Sequence, residues 1–452
     1  MRHLILIPAC LALSGCITTG LDLFEPAKPA QWTAPHSQDF QAVQTEELKE
    51  WWHRFNDPVL DELVTLGLEQ NPDRLIAEAK ILEARGLRQT SRSSLFPQLG
   101  LSGSNGRKDV GADNPSSDSF YDAGFDASFE LDIFGKNRKG LSAANSRIKA
   151  SEAQYDAVSL TLIADITRNY IDYRTAQNQF RIADKNLKSQ EETLVLVKDL
   201  NRLGSAPRLD VERARNLVNT TRASLPEFQR QAANAALRLS VLTGSLPEIL
   251  NPILTPSAAI PGATLQPVLI APAQALALRP DIMAAAAELA ASTSLSEAAI
   301  ADIFPSFSLS GFYGITDSAL LASTGVWNVA LGSAVSLLNF GRIEGQINAA
   351  QAREKQAFEQ YRKTVLNAVS EIETALVDYT YINQQYISLE RAYNAAEQSL
   401  ELSQLLYKEG EVSFLDVLDA QRSTNNSESA MITAKSAQVE SMTRLFKSFG
   451  VY

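Results

Sequence analysis

The sequence predicts a mixed α and β fold, internally duplicated, whose four amphipathic strands per chain belong to a β-barrel shared between copies and continued by long helices. Three observations predict it. From Gln346 to Glu409 the chain carries neither Pro nor Gly, and Ile372, Tyr379, Tyr386, Tyr393, Leu400 and Tyr407 recur at every seventh position. Ala368, Ala375, Ile382, Leu389, Ala396 and Ser403 stand four residues before each. Small and apolar side chains on both seams of a heptad describe a helix packed along its whole length against other helices, and at ~1.5 Å per residue this one reaches roughly 100 Å. The second observation is a repeat. Asn71-Pro72-Asp73 and Leu95-Phe96-Pro97 return as Arg279-Pro280-Asp281 and Ile303-Phe304-Pro305 at an offset of 208. Phe134-Gly135-Lys136, Asp172-Tyr173, Gly204 and Leu209-Asp210-Val211 return as Phe340-Gly341-Arg342, Asp378-Tyr379, Gly410 and Leu415-Asp416-Val417 at an offset of 206. The third is period-two alternation: Phe125, Ala127, Phe129, Leu131 and Ile133 interleave with Asp126, Ser128, Glu130 and Asp132.

Residues 1–15 read as an export signal, with Arg2 before the apolar run Leu4 to Leu13. Leu13-Ser14-Gly15-Cys16 resembles a bacterial lipobox, in which Cys16 is lipid-modified and becomes the mature N-terminus; the alternative is an ordinary signal with an incidental Cys. Ile17 follows in place of the Asp that retains such lipoproteins in the inner membrane, so the anchor is expected in the outer membrane, with 16–44 as a lipid-anchored segment. Cys10 leaves with the signal, which leaves no disulfide framework. The net charge of −11 argues against a nucleic-acid partner. His3, His36 and His53 form no ligand cluster, and no later apolar run approaches the ~20 residues of a spanning helix.

Two repeats follow, at 45–245 and 279–452, joined by a segment at 246–278 that carries six prolines from Pro247 to Pro272 and is expected to hold no regular helix. Each repeat opens with a helix after its Pro-Asp pair, continues through two strands and the long helix, and returns after a glycine turn. The earlier copy of the heptad seam is Ile166, Tyr173, Phe180, Leu187 and Leu194. In the second repeat Phe307, Leu309, Tyr313 and Ile315 alternate, as do Trp327, Val329, Leu331, Val335 and Leu337. Alternation alone fits a sheet packed on helices equally well. Strands of ~9–11 residues with aromatics near their ends, in a chain bound for the outer membrane, favour a membrane barrel. Four strands cannot close one; two chains would make eight strands with a filled interior, and three would make twelve with room for a passage. A trimer is favoured.

The chain at this point resembles the TolC-like outer-membrane efflux duct family, in its lipoprotein branch. The likeness covers 45–450 and rests on Trp51-Trp52 with Phe55, Asp57-Pro58 and Leu60, on Arg279-Pro280-Asp281-Ile282, on Phe304-Pro305 with Leu309 and Gly311, and on Phe414-Leu415-Asp416-Val417-Leu418-Asp419-Ala420-Gln421. The resemblance implies a homotrimer with a 12-stranded transmembrane barrel, an α-helical barrel crossing the periplasm, and a belt made by residues near 45–70 and 246–278. It also implies a periplasmic adaptor, an inner-membrane pump, and passive conduction of what the pump expels. A tethering coiled coil without conduction is the alternative, and the amphipathic strands speak against it.

No phosphate loop, nucleophile elbow, zinc spacing or His–carboxylate constellation occurs, so no enzyme, cofactor or metal is expected. Asp416 and Asp419 are three apart and share a helix face beyond the glycine turn. They read either as helix-start acids complementing the macrodipole or, as the resemblance implies, as a periplasmic gate. Asp210 and Tyr407 match family positions that tether neighbouring helices in the closed state, while Val412 stands where the better-known pattern has a basic residue. Leu203, Gly204 and Ser205 with Glu409, Gly410 and Glu411 form the two hairpin ends, where glycine serves a helix C-cap and the resemblance implies contact with the adaptor. Only Met283, Met431 and Met442 remain after the signal, no ladder for soft metal ions, so organic solutes are the expected cargo.

Overall fold

The computed structural model describes residues 29–34, 40–42, 45–109, 117–262, 266–318 and 321–452. Cys10, Cys16 and the expected export signal lie outside them. The chain runs through β1 (Gln41–Ala42), two 3-10 turns, and helices α1 (Pro58–Gln70) and α2 (Pro72–Ser93) into the hairpin β2 (Gln98–Asp109) and β3 (Ser117–Leu131). Then come α3 (Lys136–Arg202) and α4 (Arg208–Leu242), and a joint made of α5 (Pro247–Leu254), β4 (Val268–Leu269) and α6 (Pro272–Leu278). The second repeat follows as α7 (Pro280–Ile300), β5 (Ser306–Ser318), β6 (Leu321–Ala334), α8 (Arg342–Glu409) and α9 (Phe414–Ser448).

Local chemistry explains the starts. Asp57 accepts from the Val59 and Leu60 amides at 3.0 and 3.2 Å, and Asn71 accepts from Arg74 at 3.0 Å. Each cap precedes a Pro at the first helical position, where a missing N–H costs nothing. The joint departs from expectation in holding two short helices, and the reason is the same: Pro247 and Pro272 begin them.

The four long strands form one antiparallel sheet in the order β2-β3-β5-β6, leaving β2 and β6 as its edges. Leu101, Phe125, Tyr313 and Trp327 lie in one cross-strand row, at 77, 53, 70 and 76% exposure. Among the described residues no helix covers that apolar row, which speaks against the packed-sheet alternative and fits a lipid-facing barrel wall. Asp122, Asp126 and Glu130 take the other face, where Ser104 bonds Asp122 at 3.1 Å. The strands have 12 to 15 residues, longer than expected because pairing continues past the apolar band, through Asn105 to Lys108 on β2. Ile133, Val335 and Leu337 fall in the connectors just beyond the strand ends.

Of the three apolar clusters among the described residues, two hold the belt segments and the tips. The larger packs Trp51, Phe55, Leu60, Leu250, Leu254 and Ile270, from the segments expected to form a belt, against the middles of α3 and α8 and the C-terminal half of α9. Trp51 stacks on Phe446 with centroids 5.4 Å apart. Arg174, 1% exposed, donates to the Tyr170 hydroxyl (2.9 Å) and to the Leu254 and Pro256 carbonyls (3.2 and 2.6 Å), and Tyr170 donates to Asp57 at 2.8 Å. Belt and rod are thereby fixed to each other by a buried charge whose Nε and Nη1 donors are occupied. The smaller cluster joins Leu187, Leu194 and Val197 to Val211, Val218, Phe414, Val417 and Leu418 near the tips.

Candidate functional site at the hairpin tips

At ~1.5 Å per residue α3 and α8, of 67 and 68 residues, carry their ends roughly 100 Å from the sheet. Both turn by one device. Gly204 and Gly410 take φ of 76° and 80°, and the next amides, Ser205 and Glu411, reach back to the Leu200 and Leu406 carbonyls at 2.8 and 2.9 Å. That closes the helix C-terminus in a left-handed cap which a β-carbon would strain. Leu203 is 73% exposed, and Gly204, Ser205, Glu409, Gly410 and Glu411 are exposed with it.

Beyond the turns the repeats diverge. In α9 Ser413 is the N-cap, and the Asp416 carboxylate accepts from the Ser413 amide and hydroxyl at 2.9 and 2.6 Å. These bonds hold the Asp416 carboxyl below its usual range. Pro207 stands at the equivalent place before α4 and offers neither N–H nor hydroxyl. Asp210 turns to Arg213 instead, at 3.3 Å. Arg213 is the repeat-mate of Asp419, so the start of α4 carries a closed ion pair and the start of α9 two exposed acids.

Tyr407, half-buried, packs on Phe414 with centroids 5.6 Å apart. Burial first and the Asp210 carboxylate second raise its hydroxyl above the ordinary value. The structure therefore brings Tyr407 and Asp210 together from opposite hairpins. It leaves Asp416 and Asp419 exposed on the single chain.

Several residues escaped sequence reasoning. Ser413 was legible as the first residue of a Ser-x-x-Asp capping box. Less legible was a polar ladder between α3 and α9: Thr175 to Ser436 (2.8 Å), Gln179 to Thr433 and Ser429 (both 3.1 Å), Asn186 to Glu428 (3.3 Å) and Gln421 to Thr193 (3.2 Å). Within it both amide atoms of Gln190, a residue 3% exposed, are buried without a hydrogen-bond partner. On the tyrosine seam Tyr386 and Tyr393 donate to Glu390 and Glu397 at 2.8 and 3.0 Å, and burial first with these bonds second pushes both hydroxyls up to about 12. Among the described residues no group of three or more His, Cys, Asp or Glu could hold a metal ion.

Comparison with known proteins agrees with this architecture. The family described as outer membrane efflux protein matches residues 63–245 and 271–451. The chain is 29% identical to the pyoverdine export outer membrane protein OpmQ of Pseudomonas aeruginosa, over all of this chain and 97% of that one. It is 29% identical to the cation efflux system protein CusC of Escherichia coli K12, over 92% and 93%. It is 28% identical to the probable outer membrane lipoprotein SilC of Salmonella typhimurium, over 99% and 98%. The solved outer-membrane channel OprN superposes with a TM-score of 0.87 at 31% identity, covering 95% of this chain and 98% of that one. The mixed, internally duplicated fold expected from the sequence, four barrel strands per chain continued by long helices, is the fold of these channels. The chain belongs to the outer membrane efflux protein family.

Proposed function

We propose that three copies close a 12-stranded barrel in the outer membrane and a helical conduit through the periplasm, and that this duct passively conducts substrates delivered by an inner-membrane pump through a periplasmic adaptor. One observation carries the reading: the same chain holds an amphipathic sheet with two open edges and two helices roughly 100 Å long that each turn back in a hairpin. A lone sheet with open edges is untenable in lipid, and rods of that length have no use in a simple porin.

The tips are the adaptor-facing end, with Leu203 to Ser205 and Glu409 to Glu411 as the docking turns. Asp416 and Asp419 from three chains put six carboxylates around one axis, a ring that binds cations and narrows the passage. Asp210 and Tyr407 tether the neighbouring hairpins of the closed state. Of the methionines, Met442 is buried in the core and Met283 lies exposed on α7, which supports organic cargo over soft metal ions. Cys16 carries the lipid. The sixteen residues from there to Trp32 extend at most about 55 Å, and Glu373, which holds Thr33, lies 31 residues along α8, about 47 Å from its membrane end. The tether is long enough to reach.

Single-channel recording tests the duct and its gate together. The wild type should conduct and be blocked by a trivalent cation from the tip side, and the Asp416→Ala/Asp419→Ala pair should lose most of that block and some cation selectivity. Absence of conductance in planar bilayers would overturn the duct reading, and undiminished block in the double variant would return both acids to helix-start duty.

A further inference from the structure

One cavity lies far from the tips, where the C-terminal end of α9 meets the middles of α3 and α8. Its volume is about 420 Å³. At ~3.6 residues per turn, helix residues two apart point to opposite sides, and these helices give the cavity a different face from the one they give the belt. On α3 Ile163, Ile166 and Tyr170 belong to the belt cluster, and Asp165 and Arg168 line the cavity from the opposite side. On α9 Val439, Met442 and Phe446 belong to that cluster, while Glu440, Arg444 and Lys447 line the cavity. The helix layer is therefore apolar toward the belt and charged on its other side. In a closed conduit with the belt outside, the charged side faces the passage. That placement rests on the duct reading above; the cavity itself is complete within one chain.

Most of its charges are already matched. Arg168 stands 4.0 Å from Asp165, Arg444 stands 3.5 Å from Asp378, and Glu371 accepts from Arg279 at 2.6 Å. Two groups are left over. The Lys447 side chain, half-buried in the last turn of α9, forms no ion pair among the described residues. Glu440, also half-buried, has a neutral partner, the Ser436 hydroxyl, which donates to it at 3.2 Å. Burial first and the Asp172 carboxylate second hold the Glu440 carboxyl above its ordinary range, against the Ser436 bond, Arg444 and Arg168. A carboxylate so placed is stabilised by a cation brought to it. Lys447 stands seven residues after Glu440, on the same side of the helix and ~10 Å further along its axis. The cavity thus offers one unmatched acid and one unmatched base at a fixed spacing, with matched pairs between and around them.

We propose that this cavity binds zwitterionic organic solutes of about tripeptide length, taking the ammonium at Glu440 and the carboxylate at Lys447. An extended tripeptide spans ~10 Å, the spacing of the two positions on α9. A solute of one charge satisfies one of these groups and leaves the other as it was, so the site favours cargo that carries both. On the duct reading it is a resting place part-way along the conduit, distinct from the acids at the tips.

Triglycine titrated into the purified full-length oligomer in detergent, followed through the NMR relaxation of the peptide, tests it. Triglycine should bind about tenfold more tightly than N-acetyltriglycine, which lacks the ammonium, and than triglycinamide, which lacks the carboxylate. Glu440→Gln should remove the preference over N-acetyltriglycine, and Lys447→Gln should remove the preference over triglycinamide. Triglycinamide binding as tightly as triglycine would mean a wall that collects any cation and would overturn the site, as would unaltered binding in both variants. The comparison of the three peptides on the wild type needs no variant, so it decides the matter even where a substitution disturbs packing. Conductance of the same preparation separates the two readings. A conducting channel that does not bind triglycine keeps the duct and loses the site, and an oligomer that binds triglycine without conducting does the reverse.

Discussion

At the scale of single residues, the difference between Ser413 and Pro207 decides what the two tip acids do. Ser413 supplies an amide and a hydroxyl, so Asp416 completes a capping box, whereas Pro207 supplies neither and Asp210 finds Arg213. Ser413→Ala should cost about 1 kcal/mol at the start of α9, read as faster amide exchange of Phe414 to Leu418 with the rest of the chain unchanged. The pH dependence has a definite sign. Because the Asp416 carboxyl is held below its ordinary value, its stabilisation of the tip is fully present above the usual carboxylate range and is lost as pH falls through the depressed value. Tip exchange in the wild type should therefore accelerate only in strong acid, and Ser413→Ala should blunt that response. Both acids were legible in the sequence as repeat-mates at the offset of 206. Their separate partners were not, because a repeat offset gives position and says nothing of what the preceding residue can donate.

Among the helices, two kinds of contact alternate. Within the first hairpin Val211, Ala214 and Val218 of α4 meet Leu187, Leu194 and Val197 of α3, and at the tips Phe414, Val417 and Leu418 of α9 join the same apolar cluster from the second hairpin. Between the hairpins, along α3 and α9, the contact is a ladder of amides and hydroxyls with the Gln190 amide unpaired inside it. An unpaired buried amide costs on the order of 1–3 kcal/mol. Gln190→Leu should raise the melting temperature by a few degrees, and if the ladder is where the hairpins part, it should also lower the open probability in bilayers. Stabilisation without any change in gating would leave Gln190 a packing defect alone. A second element-scale contact is the Glu373 carboxylate, which accepts from the Thr33 amide (2.8 Å), the Thr33 hydroxyl (2.9 Å) and the Ala34 amide (2.7 Å). Glu373→Ala should free the segment around Trp32 to proteases while leaving the helical body resistant, as limited proteolysis would show.

For the whole molecule, the open edges β2 and β6 and the uncovered apolar row from Leu101 to Trp327 make a lone protomer unstable in lipid. The protein should be an obligate oligomer, and a stably folded detergent monomer with full strand content would contradict that. Cys16→Ser should give a protein that still reaches the outer membrane but carries no acyl chains, because the barrel is a second hold; mass spectrometry of the wild type showing an unmodified Cys16 would end the lipoprotein reading.

Heptad spacing, period-two alternation and a constant repeat offset are local quantities, so the long rods, the four strands and the duplication could be read from the chain alone. So could the glycine turns, since a left-handed cap needs a residue without a β-carbon. Contacts between segments some 200 residues apart carry no such period. The approach of Tyr407 to Asp210, the burial of Arg174 under the belt carbonyls and the polar ladder between α3 and α9 each depend on which helix faces lie together. Those faces are chosen by the packing of the whole chain, and the side chains then take whatever partners the packing leaves within reach.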